Sequence, residues 1–295
     1  MELTIKYSKH FDLLFHVLAY MKVDNASDLF CAEYIKKMEA AKRLPGYDAD
    51  IPQNIGLLQD YYNANFERLA LINFLPFYSE SFDEMKDALA DCTHFTSNDL
   101  RHFIKPFIEI LDAESAFYFE YWGNLHEINL NLRKDVESKL RTEIKKYACV
   151  FGRYSKSTTT FLSYSLTRNG RGFSGSESHI VTIVPFPKCA DSIMDCFFTL
   201  LHEYTHQFTD SLLDANISMD DDTHTISEKI VILADYYLIK AINPGDLPAY
   251  FEWIAHNSGD KNSGMDENDF LSAYKIDDNL DSILKKLIEN IMANA

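Results

Sequence analysis

The sequence predicts a mostly α-helical α+β protein with a small β-sheet in its second half. Apolar residues recur at spacings of three and four through the first 147 residues, which is the period of helices with one buried face. After residue 148 this period gives way to short segments rich in β-branched and aromatic residues, separated by glycines. With 295 residues, of which 46% are apolar and 25% charged, the chain can bury a core without disulfides.

Residues 1–147 are predicted to form a helical N-terminal lobe. Charged residues occupy the positions between the apolar ones, and turn formers such as Pro45 and Gly46 separate the segments. We expect the many aromatic side chains of these segments to fill the core of the lobe. The predicted helices cover residues 5–20, 27–41, 55–75, 81–90, 98–111 and 116–147.

Residues 148–295 are predicted to form a second domain, with a small sheet followed by helices. The strands are expected at 149–152, 158–167 and 179–185, and the glycines of residues 169–175 predict a mobile loop that covers a cleft. Pro185 and Pro187 end the last strand. A helix from 193 to about 213 follows, and the C-terminal part is helical.

The charge of the chain excludes one class of partner. There are 28 Lys and Arg residues against 45 Asp and Glu residues, a net charge of -17, whereas nucleic-acid binding needs clustered basic residues. Residues 189–295 alone carry 20 acidic and 6 basic side chains, a net charge of -14. This negative field is expected to favour a divalent cation and substrates with a free amine or basic side chains.

Cysteine usage and hydropathy predict a cytoplasmic protein. The five cysteines are scattered and form no C-x-x-C pair, which is typical of reduced thiols. The N-terminus lacks a signal-peptide pattern, and no apolar run approaches 18 residues, so no membrane partner is expected. Nothing in the sequence indicates an oligomeric state.

The chemistry is predicted by one short motif, His202-Glu203-Tyr204-Thr205-His206, within the helix at 193–213. Positions i and i+4 of a helix lie on the same face, so both imidazoles can bind a single Zn²⁺ ion. Glu203 is offset by one residue, which places its carboxylate beside a metal-bound water as a general base. The strongly apolar helix around the motif favours this interpretation over two solvated histidines.

A strand followed by an H-E-x-x-H helix resembles the zincin metallopeptidases. The metzincin continuation is absent, because Thr209 and Leu212 stand where Gly and His would be needed. The gluzincin type instead takes a third ligand from the next helix, and Glu228 follows His206 by 22 residues. Thr225 and Glu228 also fit a capping box. The other candidates for the third ligand are His224, Asp210, Asp214 and the acids of Asp220, Asp221 and Asp222.

The resemblance also predicts two supporting groups. Gluzincins often place an acid four residues after the ligand Glu to orient a histidine, but this chain has Ile232 there, so Asp235 is the candidate acceptor. A donor that stabilises the oxyanion is expected as well, and His256 is the first choice. The alternatives that the sequence leaves open for this donor are Tyr236, Tyr237, Tyr250 and Tyr274.

The sequence thus predicts a zinc metallopeptidase with a zincin-like catalytic core behind a helical lobe. One zinc ion is expected on His202, His206 and Glu228, with water as the fourth ligand and Glu203 as the base that hydrolysis of a peptide or protein substrate needs. Two alternatives stay open: a catalytically silent zinc-binding or protein-interaction module, and a hydrolase of a non-peptide amide or ester.

Overall fold

The computed structural model of the chain contains two compact units, which are described separately. The first comprises Met1–Lys6, Asn131–Phe161 and Gly170–Ala295, and the second comprises Tyr7–Leu130 and Leu162–Asn169. The predicted division after residue 147 assigns residues 1–6, 131–147 and 162–169 differently. The structure describes residues 2–22, 32–43, 46–47, 55–154, 156–176, 179–216, 223–258 and 264–293.

The second unit is helical. Its first helix, α1 (Lys9–Tyr20), begins at Ser8, whose hydroxyl accepts a hydrogen bond from the Phe11 amide, and it is buried over almost its whole length. It packs against the long helix α7, as expected of an apolar helix at the centre of a core. The helices of this unit are α1, α2 (Ala32–Arg43), α3 (Ile55–Ala64), α4 (Phe66–Leu69), α5 (Phe82–Asp91), α6 (Ser97–Asp99) and α7 (Lys105–Ile128).

The first unit contains most of a four-stranded mixed sheet. Strand β1 (Glu2–Lys6) pairs in parallel with β2 (Ser157–Ser163), whose last two residues belong to the second unit. Strand β3 (Arg171–Ser176) runs antiparallel to β4 (His179–Pro185). The strand order is β1-β2-β4-β3, so β3 lies at an edge. The chain is therefore α+β and mostly helical, as the sequence predicts.

Several predicted elements differ from the structure. The helix predicted at 5–20 begins at Lys9, because residues 2–6 form strand β1 and pair with β2. Residues 149–152 belong to helix α9 (Ala148–Tyr154), in which Val150 and Phe151 are fully buried; periodicity alone cannot assign so short an apolar run. The predicted helix at 116–147 is two helices, since α7 ends at Ile128 and α8 (Leu130–Lys146) begins two residues later.

The remaining helices of the first unit follow the sheet. Helix α10 (Ile193–Asn216) packs against β4, β3 and the next helix, and this places one of its faces beside the edge strand. The others are α11 (Thr223–Ile242), α12 (Leu247–Ser258), α13 (Glu267–Ala273) and α14 (Asp278–Ala293). Among the described residues, no helix is long and apolar enough to cross a membrane.

Candidate metal centre

Helix α10 carries the two histidines of the motif on one face. The helix is anchored by fully buried side chains on its other faces, among them Phe197, Leu201 and Tyr204. Since His202 and His206 are one helical turn apart, their rings lie together, with centroids separated by 5.0 Å. The fold therefore presents both imidazoles toward helix α11.

Helix α11 brings Glu228 to these two rings. Its carboxylate oxygens lie 3.2 Å from Nε2 of His202 and 3.5 Å from Nε2 of His206. The ligand atoms of the three residues all lie within 4.8 Å of one another. Helix α11 begins at Thr223, so Thr225 is a helical residue and does not occupy the N-cap position that the capping interpretation requires.

The donor set fits a zinc ion. Tetrahedral zinc with bonds of about 2.0–2.2 Å separates its ligand atoms by about 3.3–3.6 Å, close to the two distances at Glu228. Two imidazoles and one carboxylate are also ligand types that zinc prefers. The side chains of His202, His206 and Glu228 are 12%, 21% and 36% exposed, so solvent can reach the point where they converge.

Asp235 lies behind His202, on the side away from Glu228. Its Oδ2 is 3.3 Å from Nδ1 of the ring, within ion-pair distance but outside hydrogen-bond geometry. Its Oδ1 accepts a 2.6 Å hydrogen bond from the hydroxyl of Thr205. Burial lowers the pKa of His202, but the carboxylates of Asp235 and Glu228 outweigh it and raise the pKa to about 10. A carboxylate at Nδ1 keeps the proton there and leaves Nε2 for a metal.

Sequence reasoning did not identify Thr205 as part of this site. Its side chain is fully buried between α10 and α11 and fixes one oxygen of Asp235. The available signal was its position inside the motif, three residues after His202, combined with a hydroxyl group on an otherwise apolar stretch of helix. Only the packing of α11 shows which acceptor that hydroxyl meets.

Glu203 lies between helix α10 and the edge strand β3. The glycine-containing segment predicted as a mobile loop forms part of this strand, and Gly170 and Gly172 approach Glu203 closely. Burial raises the pKa of Glu203, while the charges of His202, His206 and Arg171 lower it and leave a net increase. The carboxyl group is thus enclosed next to the ligand pair.

All of the candidate oxyanion donors belong to the first unit. His256 is exposed on α12 and interacts electrostatically with Asp195, which lies two helical turns before His202. Trp253 of the same helix packs its ring 5.9 Å from that of His202. The hydroxyl groups of three candidate tyrosines have other acceptors: Tyr236 donates to Glu267, Tyr237 to Asp281 and Tyr250 to the Ile232 carbonyl, while the ring of Tyr274 packs on Phe270.

The rival third ligands are not in the described cluster. Asp220, Asp221 and Asp222 lie outside the described residues. Asp210 and Asp214 are on α10 and His224 is on α11, but their side chains are also outside the described part. We find no protein-family model, curated protein or solved structure that matches this chain. Functional inference therefore depends on the residues and their geometry.

Proposed function

We propose that the protein is a zinc-dependent peptidase with a zincin-like catalytic core of gluzincin type. His202, His206 and Glu228 would hold one zinc ion. The observation that carries this proposal is the convergence of three ligand atoms from two helices, all in residues that interact electrostatically with Glu203. A lone H-E-x-x-H motif needs such a structural context to be informative.

The number of ligands favours catalysis over a structural role. Structural zinc sites are closed by four protein ligands, whereas catalytic sites use three and keep one position open. Within the described residues the cluster has three members, and all three are partly exposed. This observation supports a hydrolase over the silent zinc-binding module.

Each side chain then has a defined task. A bound zinc ion would polarise the substrate carbonyl and lower the pKa of water. Glu203 takes a proton from the attacking water as the oxygen–carbon bond forms, and it gives this proton to the amine nitrogen as the carbon–nitrogen bond breaks. Asp235 orients the ring of His202 through their ion pair at Nδ1, while the hydroxyl of Thr205 donates a hydrogen bond to Asp235. His256 remains a proposal for the oxyanion donor.

The surroundings are consistent with a peptide or protein substrate in a reducing compartment. The described cysteines, Cys92, Cys149, Cys189 and Cys196, form no disulfide, which favours the cytoplasm. The net charge of -14 over residues 189–295 favours substrates with a free amine or basic side chains. Neither nucleic acid nor a membrane is part of the proposal.

The experiment that tests the function separates zinc binding from turnover. Zinc content and hydrolysis of a peptide library are measured for the wild type, Glu203→Gln and His206→Ala, with Glu289→Gln as a control on the exposed face of α14. We expect Glu203→Gln to keep one zinc equivalent and lose at least about 100-fold in kcat, as loss of a general base does. His206→Ala should lose both zinc and activity.

Three outcomes contradict parts of the proposal. A wild type that binds zinc but cleaves no peptide, while it cleaves simple amides or esters, would change the substrate class. A wild type that binds zinc and hydrolyses none of these compounds would be a silent module. A Glu203→Gln variant that loses zinc together with activity would show that Glu203 does not act as the base.

A further inference from the structure

Two glycines of the edge strand lie in contact with Glu203. A Cβ atom on Gly170, directly before β3, would lie 2.9 Å from Cγ of Glu203. A Cβ atom on Gly172 would lie 3.2 Å from Cβ and 3.3 Å from Oε2 of the same side chain. The backbone of the strand therefore approaches Glu203 more closely than any residue with a side chain permits.

The surroundings of both glycines are rigid. The Cβ on Gly170 would also be 2.7 Å from the carbonyl oxygen of Ile183, and the Cβ on Gly172 would be 2.9 Å from the carbonyl oxygen of Glu203. These atoms belong to strand β4 and to helix α10, so they cannot move aside as the end of a flexible side chain can. A larger residue has to displace the strand.

Space, and not backbone conformation, requires glycine at these positions. Positive φ angles occur at Gly46 and Gly264 among the described glycines, but not at Gly170 or Gly172. Gly152 provides the contrast within the same unit, because a Cβ there would have no atom within 4 Å. The two glycines near Glu203 thus serve close packing.

We propose that Gly170 and Gly172 are positioning residues that hold the Glu203 carboxylate beside the metal ligands. This inference rests on the proposed function, in which Glu203 is the base. A glutamate side chain has up to about 2 kcal/mol of rotamer freedom to lose. The strand removes that freedom on one side before substrate arrives. A displacement of a catalytic group by about 1 Å can lower the rate about 100-fold. The contact between the strand and Glu203 is therefore important for turnover.

The test compares Gly172→Ala and Gly170→Ala with the control Gly152→Ala in the zinc-loaded protein. We expect each of the first two variants to retain one zinc equivalent and a cooperative thermal unfolding transition, with a lower midpoint because displacing the strand destabilises the folded state. Their kcat should fall about 100-fold while KM changes by less than about twofold, because the reacting geometry is lost and the binding of substrate is not. Gly152→Ala should match the wild type in zinc content, kcat and KM, and it should unfold at the same or a slightly higher temperature because alanine favours a helix.

Cobalt substitution provides a readout that needs no turnover. The visible spectrum of the cobalt-loaded protein is recorded against pH for the wild type, Glu203→Gln, Gly172→Ala and Gly152→Ala. In Gly172→Ala the Glu203 carboxylate should be displaced. The pH at the midpoint of the spectral change should therefore shift in the same direction as in Glu203→Gln. The midpoint of Gly152→Ala should stay at the wild-type value.

The failure of this inference is distinguishable from failure of the proposed function. If the wild type binds zinc and hydrolyses no substrate, the function is wrong. If the wild type is active and both Gly170→Ala and Gly172→Ala keep wild-type kcat and midpoint, only the positioning role is wrong. Loss of zinc or of the folded state in both variants would also overturn it, since the glycines would then support the whole unit and not Glu203.

Discussion

Each unit of the protein contains a close contact between a histidine and a glutamate, and the two contacts have different consequences. Nε2 of His16 lies 3.2 Å from Glu114 in the helical unit, and Nε2 of His202 lies 3.2 Å from Glu228 in the other. In the first case the ammonium of Lys42 is 2.6 Å from the same carboxylate. In the second, the next neighbour of Glu228 is another imidazole, that of His206.

The buried ammonium of Lys42 is an internal cation that completes the first cluster, whereas the second cluster joins two imidazoles to a partly exposed carboxylate. Burial lowers the pKa of His16 more than Glu114 raises it, and the positive charge of Lys42 adds to the decrease. The pKa of His202 is raised instead, since Asp235 and Glu228 together outweigh the effect of burial. Glu114 is almost fully buried, whereas the side chain of Glu228 is 36% exposed. A cation from solvent can therefore complete the second cluster.

The largest effect is expected when the internal cation is removed. In Lys42→Met, Glu114 keeps its charge without its partner, and the free energy of unfolding should fall by about 3–5 kcal/mol. Denaturant titration measures this loss. Lys86→Met is the matched control in the same unit: Lys86 pairs with Asp83 and Asp112 at the surface, so the expected loss is at most about 1 kcal/mol.

The two clusters should also differ in their response to zinc. Zinc should not restore the stability lost in Lys42→Met, because His16 and Glu114 offer only two ligand atoms. The wild type should be stabilised by zinc through the other cluster, since a ligand that binds only the folded state shifts the unfolding equilibrium. An equal loss of stability in Lys42→Met and Lys86→Met would show that the buried cluster does not depend on its lysine.

The sequence predicts helix α10 well, because its periodic apolar face and the proline-terminated strand before it are strong local signals. It also predicts the residues that the structure brings together, His202, His206 and Glu228, since helical spacing fixes the first two. It fails at β1, because residues 2–6 become a strand only through pairing with β2, about 155 residues away in sequence. Such long-range pairing leaves no local signal.

The details around the motif depend on packing in the same way. The glycines of residues 169–175 predict a loop, yet residues 171–176 form β3 by pairing with β4. The close approach of this strand to α10 explains the glycines. The sequence alone could not rank His256 against the tyrosines, since only tertiary structure shows that His256 is exposed near Asp195. Thr205 was missed because its acceptor, Asp235, is on another helix.

A smaller effect is expected from the carboxylate behind His202. Asp235→Asn keeps the shape of the side chain but removes the charge that fixes the imidazole, so zinc affinity should fall about 10–100-fold. Competition with a chelator of known affinity measures the change. Asp281→Asn is the control, because Asp281 lies on α14, where it accepts a hydrogen bond from Tyr237 and pairs with Lys285. Equal zinc affinity in both variants would exclude Asp235 from orienting the ligand.

The smallest effect is expected at the buried carboxylate of Asp12. Among the described residues it pairs with no lysine and belongs to no cluster of metal-ligand side chains. Asp12 of the helical unit accepts hydrogen bonds from the Ser163 hydroxyl, the Trp122 ring N–H and the Tyr164 amide. Burial raises its pKa to about 6, although these donors oppose the increase. The folded protein therefore holds a proton on Asp12 that the unfolded chain releases near pH 4.

The sign of the resulting pH dependence follows from proton uptake. Stability contributed by protonated Asp12 is complete below about pH 4 and is lost as the pH rises through about 6. Relative to Asp12→Asn, the wild type should lose roughly 1–2 kcal/mol of unfolding free energy across this window, since relaxation reduces the effect of the full pKa shift. Denaturant titrations at pH 4, 5, 6 and 7 measure it, with the exposed Asp87→Asn as control. The free energy of unfolding could instead change with pH in the same way for the wild type and Asp12→Asn. In that case the neutral hydrogen-bond donors would stabilise the charged form of Asp12 as fully as Lys42 stabilises that of Glu114.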